Sequence, residues 1–186
     1  MSEQPGIRSW HCFSAGADYD PDNLAFGPVI GVDEHLVAPG AGFAEHAHRG
    51  VQIMTWVLDG QLGHRDDEGE VVLRHGEVLV QLTGAGVRHV EWNASRTDPV
   101  RFVQTTLLGA DAAPRWFLGA APVRATVAAF EVVTSLAWLD GALVHAFVAS
   151  GSFDVNGQRL SAGDSVRARA ESLVIDGAGE LLVVRG

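Results

Sequence analysis

Turn signals recur at close spacing along the whole chain, and they restrict the fold more than any other feature. The sequence contains 22 glycines, many of them in dipeptides that favour tight turns. The segments between these turns are short, and several of them alternate apolar and polar residues. Such a pattern is typical of β-sandwiches and β-barrels, so we expect an all-β protein. The turn signals include Asp59-Gly60, Glu68-Gly69, His75-Gly76, Ser150-Gly151, Asn156-Gly157 and Ala162-Gly163.

A weak internal repeat indicates two similar β units in one chain. The hairpin at residues 58–62, followed by the turn at 73–78, resembles residues 149–153 followed by 160–165. Two tandem copies of one β unit are the simplest explanation of this repeat.

The segment from residue 109 to residue 123 has the composition of a connection between the two units. It contains Pro114 and Pro122 together with several glycines and alanines, and it shows little alternation of apolar and polar residues. We therefore predict an N-terminal domain of residues 1–112 and a shorter C-terminal domain of residues 113–186.

Two short strings place metal-ligand residues at a spacing of two, His46-Ala47-His48 and His89-Val90-Glu91. In a β-strand, residues i and i+2 project from the same face, so each string presents two candidate ligands to one side of a sheet. Three imidazoles and one carboxylate can fill four positions on a divalent ion and still leave room for water or substrate. The sequence therefore predicts a metal site formed by His46, His48, His89 and Glu91 in the N-terminal domain.

The C-terminal unit lacks an equivalent set of ligands. Counted from the glycines of the matching turns, the four ligand positions fall on Ala137, Leu139, Asp176 and Ala178. One carboxylate alone does not hold a transition metal well, so we predict that the second unit is metal-free.

The composition excludes several other classes of site. All thirteen basic residues are arginine, which excludes a Schiff-base lysine, a P-loop lysine and a Ser-Lys pair in this sequence. Cys12 is the single cysteine, so a metal here must be held by histidine and carboxylate side chains. The formal net charge of −10 disfavours broad binding to nucleic acid or anionic membranes. Residues 1–8 lack the features of a secretory signal, and no segment has the roughly 20 apolar residues of a membrane span, so we expect a cytoplasmic location.

His64 is a weaker ligand candidate than the four residues above. Pairing across the Asp59-Gly60 hairpin would place it opposite Thr55, whose side chain points away from the ligand face. We therefore predict a structural or surface role for His64. Solvent-facing or hydrogen-bonded roles are likewise expected for His11, His35, His75 and His145.

These motifs resemble the cupin superfamily and, more closely, the pirin family. The resemblance covers about residues 8 to 108. The segments that carry it are residues 46–50 with Gly40 upstream, residues 55–60 and 63–66, residues 82–91 with Asn93 following, and the upstream residues 9–14 and 19–22.

The resemblance implies two tandem cupin-like β-barrels, a bicupin, with a metal-binding N-terminal barrel and a degenerate C-terminal barrel. It selects the same four ligands, His46, His48, His89 and Glu91. It also implies one divalent transition metal, iron first, with copper, zinc, manganese, cobalt and nickel as alternatives. The implied activity is a dioxygenase that cleaves a flavonol such as quercetin with O₂. Glu91, the only carboxylate of the predicted site, is the expected catalytic proton acceptor.

Two departures from the pirin pattern keep other functions open. The glutamate of the first cupin motif falls at Gln52, which cannot supply a negative charge, and the chain is shorter than a usual pirin. One alternative is a non-catalytic iron-binding regulator whose redox state alters a surface for a protein partner. Another is a different cupin reaction, such as isomerisation or hydrolysis.

Overall fold

The chain folds into β-strands throughout the part that the structure describes. This structure is a computed structural model that describes residues 1–16, 19–109, 113–124 and 128–186. Every regular element in these residues is a strand, which confirms the all-β prediction. The described residues contain no helix with the length and hydropathy needed to cross a membrane. The strands form two compact units, Met1–Ala25 with Val29–Ala120, and Phe26–Pro28 with Ala121–Gly186.

The first unit consists of two antiparallel sheets. Its strands are β1 (Ser2–Gln4), β2 (Ile7–His11), β3 (Val29–Val37), β4 (Gly42–His48), β5 (Val51–Asp59), β6 (Gln61–Asp66), β7 (Gly69–Arg74), β8 (Glu77–Leu82), β9 (Val87–Asn93), β10 (Val100–Leu108) and β11 (Arg115–Ala120). The larger sheet has the order β1-β2-β3-β10-β5-β8-β11, and the smaller sheet has the order β4-β9-β6-β7.

A shared hydrophobic core joins these two sheets. Val57 of β5 and Phe102 of β10 come from the larger sheet, and they belong to one buried cluster with Leu62 of β6 and Leu73 of β7 from the smaller sheet. Each such side chain contributes about 1.5–3 kcal/mol when it leaves water. This packing fixes the smaller sheet, which carries both candidate ligand strings, against the larger one.

The second unit is built around two long strands. Its strands are β12 (Val123–Arg124), β13 (Ala129–Val133), β14 (Ala137–Leu139), β15 (Leu143–Val155), β16 (Gln158–Ser161), β17 (Ser165–Arg169) and β18 (Leu173–Arg185). The central strands β15 and β18 pair with each other, and the remaining strands flank them. Alternate apolar residues of this sheet, such as Val144, Phe153 and Ile175, form a separate buried core.

The segment that we predicted as a connection contains a strand. β11 pairs with β8 and therefore belongs to the first unit. Its sequence is an apolar run after Pro114, without the alternation that marks a strand with one wet face. The compact units divide after Ala120, while the domain boundary that we predicted at residue 112 lies outside the described residues.

Candidate metal centre

Strands β4 and β9 carry the two ligand strings and pair antiparallel in the smaller sheet. Their register places His46 directly opposite His89. On β4, His46 and His48 are half-buried while the intervening residue is exposed. On β9, His89 and Glu91 are both buried, and Arg88 points to solvent. Each pair thus occupies one face of its strand, as the two-residue period predicts.

Three imidazoles converge on this face. One nitrogen from each of His46, His48 and His89 lies within 4.8 Å of the other two. The Nε2 atoms of His46 and His89 are 2.7 Å apart. Ring nitrogens that point toward one shared position are the arrangement with which proteins hold a transition-metal ion.

The other ring nitrogens establish which atoms face that position. The Nδ1 atom of His46 lies 2.8 Å from the carbonyl oxygen of Ala44, and the Nδ1 atom of His89 lies 2.6 Å from the amide oxygen of Gln81. These oxygens can only accept, so both Nδ1 atoms carry a proton, and in the neutral rings both Nε2 atoms present lone pairs. Two lone pairs at 2.7 Å repel each other unless a cation lies between them. The donor set therefore fits a bound metal ion.

Burial favours the neutral form that a metal ligand needs. It lowers the pKa of His89 to about 4. The neighbouring imidazoles also lower this pKa, whereas the negative charge of Glu91 raises it. Burial, together with the adjacent His46, also lowers the pKa of His48 below its ordinary value. Because metal ions bind unprotonated imidazole, protons on these two rings compete weakly near neutral pH.

Glu91 is buried beside the histidines, but its carboxylate is outside the group of ligand atoms that lie within 4.8 Å of one another. Its Oε1 atom accepts a hydrogen bond from Gln104 Nε2 at 2.6 Å, and the Nδ1 atom of His64 lies 4.0 Å from it. Burial raises the pKa of Glu91, but the imidazoles of His64, His89 and His46 together outweigh burial and leave that pKa below its ordinary value. Glu91 is thus ionised next to the site, and its role as a fourth ligand stays a prediction.

The pairing that we predicted for His64 is wrong, and its side chain is not at the surface. The chain passes from the larger sheet to the smaller one at Asp59-Gly60, so β6 pairs with β7 and β9 rather than with β5. His64 consequently lies opposite Glu91 instead of Thr55. Its ring is fully buried, with its centroid 4.9 Å from that of His89. Neither ring nitrogen has a hydrogen-bond partner among the described residues.

Gln52 holds a chain segment rather than joining the histidine group. It is fully buried on β5, in the larger sheet, and its Nε2 atom donates to the carbonyl oxygen of Gly109. The amide therefore anchors the backbone that follows β10. It stands where the resemblance places a cupin glutamate, and the described site contains no carboxylate at that position.

The residues that hold the His89 ring have almost no signature in the sequence. Gln81 lies on β8 and contacts His89, and Asp66 at the end of β6 contacts Gln81. Neither residue shares a strand with the ring that it supports, so no spacing rule connects them. The only signal was the presence of Asp66 in the pirin-like segment at residues 63–66.

Known proteins match this chain in both sequence and fold. The pirin family model matches residues 1–107. A Mycobacterium tuberculosis protein is 41% identical over 99 residues, which cover 53% of this chain and 41% of that protein. A protein of Escherichia coli K12 named quercetin 2,3-dioxygenase is 33% identical over 103 residues, which cover 55% of this chain and 45% of that protein. Each of these matches thus spans less than half of the relative's own length.

The structural comparison extends over both units. The crystal structure of bacterial pirin YhhW from Escherichia coli in complex with nickel(II) matches with a TM-score of 0.88, over 98% of this chain and 93% of that chain. The sequence identity is 22%, so this likeness shows the fold alone. The family model, by contrast, covers more than half of the sequence. The chain belongs to the pirin family.

Proposed function

We propose that this protein is a metal-dependent dioxygenase of the pirin type, which cleaves a flavonol-like substrate with O₂. The observation that carries the proposal is the pair of Nε2 lone pairs on His46 and His89, 2.7 Å apart, with His48 beside them. Two relatives support it: the Escherichia coli protein named quercetin 2,3-dioxygenase, and the pirin that was crystallised with nickel(II). The proposed location is the cytoplasm, without direct nucleic-acid or membrane partners.

The proposed ligands are His46, His48 and His89, with Glu91 as the fourth. Neutral imidazoles and a carboxylate accept most divalent first-row metals, and affinity order alone does not select one. Iron is proposed from the family resemblance, with nickel, copper, zinc, manganese and cobalt as the other candidates. Glu91 supports the set because it is ionised, buried and on the same face of β9 as His89.

Glu91 is also the proposed proton acceptor. A bound divalent metal would make a substrate hydroxyl more acidic and, in a redox-active form, promote reaction of the substrate with O₂. Glu91 would take the hydroxyl proton, since it is an ionised carboxylate beside the site. Gln104 holds Glu91 Oε1 at 2.6 Å and so restricts the carboxylate to one orientation. The proposed reaction opens the heterocycle, places both oxygen atoms of O₂ in the product and releases carbon monoxide.

We also propose that the two units are tandem cupin-like barrels and that the metal site belongs to the first. Strand β14 pairs with β18 in the second unit as β4 pairs with β9 in the first. The residues at the positions equivalent to the four ligands lie on these two strands, and they are Ala137, Leu139, Asp176 and Ala178.

Metal analysis and gas exchange test the proposed activity. The purified protein is analysed for bound metals, stripped with a chelator and reloaded separately with iron(II), nickel(II), copper(II), manganese(II) and cobalt(II). Oxygen uptake and carbon monoxide release are then measured with quercetin, with His89→Ala as the control. We expect one metal per chain and equal amounts of O₂ consumed and carbon monoxide released.

Two results would count against the proposal in different ways. A protein that contains no metal as purified and binds none of the added ions would refute the metal site. Full occupancy without turnover for every ion would exclude flavonol dioxygenation and favour the non-catalytic regulator that docks on a protein partner.

A further inference from the structure

A chain of hydrogen bonds runs from β11 to the histidine cluster. Trp116 Nε1 donates to Asp66 Oδ1 at 3.0 Å, and Gln81 Nε2 donates to Asp66 Oδ2 at 3.0 Å. The amide oxygen of Gln81 then accepts the Nδ1 proton of His89 at 2.6 Å. The side chain of Asp66 is 4% exposed and Gln81 is 1% exposed, so water does not compete for these contacts.

In each of these hydrogen bonds, the donor and the acceptor are fixed. The Asp66 carboxylate accepts from Gln81 and has no proton to offer, so Gln81 must turn its NH₂ group toward it. The carboxamide is planar, which leaves its oxygen facing His89. That oxygen in turn requires the His89 proton to sit on Nδ1 and leaves the Nε2 lone pair directed at the cluster. The charge of Asp66 therefore determines which form of the His89 ring faces the metal position.

We infer that Asp66 and Gln81 are positioning residues that set the tautomer of His89 for metal binding. The inference rests on the metal site proposed above and adds to it the residues that prepare one ligand. Neither side chain is itself a ligand, since both act through His89. Substitution of a residue that supports a ligand in this way typically lowers metal affinity by about 10- to 100-fold.

The Asp66→Asn substitution reverses the direction of the hydrogen bonds that join residue 66, Gln81 and His89, without reducing their number. The new amide oxygen can keep the two donors on the Oδ1 side, Trp116 Nε1 and the backbone N–H of Glu68. The new NH₂ group then faces Gln81, whose amide must rotate and present its own NH₂ to His89. His89 would move its proton to Nε2, where it can donate to His46, and the lone pair aimed at the metal position would be lost.

The tautomer of His89 in the metal-free protein is read from the ¹⁵N NMR shifts of its two ring nitrogens. Nickel(II) binding is measured by calorimetric titration, and the stability of the metal-free proteins by thermal unfolding. The series comprises wild type, Asp66→Asn, Asp67→Asn and the double variant Asp66→Asn with Gln81→Glu. Asp67→Asn is the matched control, because it removes the same charge from an exposed neighbour in the same turn.

We expect the Nδ1–H form in wild type and in Asp67→Asn, and the Nε2–H form in Asp66→Asn. Nickel(II) affinity should fall by about 10- to 100-fold in Asp66→Asn, while the metal-free variant remains as stable as wild type. The double variant should recover the Nδ1–H form and most of the affinity, because a carboxylate at position 81 accepts from both neighbours.

The possible results are distinguishable. An unchanged His89 tautomer in Asp66→Asn, or a changed tautomer with wild-type nickel(II) affinity, would overturn the inference. Lower stability of metal-free Asp66→Asn without a tautomer change would show that Asp66 is merely structural and would also overturn it. If wild type binds no metal at all, the proposed function fails, while the NMR series still determines whether Asp66 and Gln81 control His89.

Discussion

His145 on β15 is a buried imidazole of the second unit, and its pKa predicts how the stability of that unit changes in acid. The residue is 1% exposed, and burial, followed by the positive charge of Arg167, lowers its pKa to about 4. In the unfolded chain the same group has a pKa of about 6.5. Between these two values the unfolded chain binds more protons than the folded one. Stability is therefore complete above pH 6.5 and falls as the pH decreases toward 4.

The size of this effect follows from the two pKa values. Full protonation of His145 corresponds to about 3 kcal/mol of lost stability, of which about 2 kcal/mol is lost between pH 8 and pH 5. This is a large part of the total of about 5–15 kcal/mol that holds a typical domain folded. His145→Gln keeps a polar side chain but cannot titrate, so we expect this variant to lose about 2 kcal/mol less than wild type over the same range.

Hydrogen exchange of the β15 and β18 amides measures the stability of the second unit by itself. The exchange is followed at pH 8 and pH 5 in wild type, His145→Gln and Arg167→Gln, and an NMR titration gives the pKa of His145 directly. Arg167→Gln should raise that pKa and give an intermediate acid sensitivity, because it removes one of the two causes of the shift. A His145 pKa near 6.5, or equal acid sensitivity in wild type and His145→Gln, would refute the reasoning.

The remaining predictions concern the metal site. His89→Ala removes a ligand and should lower nickel(II) affinity by more than the about 10- to 100-fold that loss of an outer partner causes. Elemental analysis after dialysis measures the remaining nickel. Glu91→Gln keeps the shape of the side chain without its charge, and we expect at least about a 100-fold slower oxygen uptake with quercetin. Nickel(II) at 100 times its Kd should stabilise the folded protein by about 2.7 kcal/mol, and an unchanged Tm after chelation would contradict this. Gly42→Ala would bring a Cβ to 2.4 Å from the carbonyl oxygen of Glu91. It should force β4 away from β9, cost about 1–3 kcal/mol in unfolding experiments and weaken metal binding.

The three histidines could be predicted because the rule that selects them is local. Two residues apart on a strand means one shared face, whatever the strand pairs with. The register between His46 and His89, by contrast, depends on contacts 43 residues apart in the chain. The two same-face strings predicted one shared site, and the resemblance to a known family selected the same residues, but neither specified the register between the two strands.

The errors arose where the chain changes sheets. Asp59-Gly60 has the composition of a hairpin turn, yet the strands on its two sides belong to different sheets. A dipeptide specifies the local turn and not the partner of the next strand, so His64 was assigned to the wrong neighbour. β11 was missed for a related reason, since an apolar run next to prolines does not reveal that a distant edge strand, β8, will accept it.

Two glutamines of the larger sheet hold side chains of the candidate site, and they differ in which end of the amide they present. Gln81 of β8 presents its oxygen to His89, whereas Gln104 of β10 presents its nitrogen to Glu91. A carboxamide can serve either need without adding charge, and a neighbour that can only accept or only donate selects its orientation. For Gln81 that neighbour is Asp66. For Gln104 it is the Glu91 carboxylate itself, and the same Nε2 atom also donates to the hydroxyl of Thr55 at 3.2 Å. The lone pair that His89 directs at the metal position is therefore fixed two contacts away, by Asp66 on β6, which no spacing signal in the sequence connects to His89.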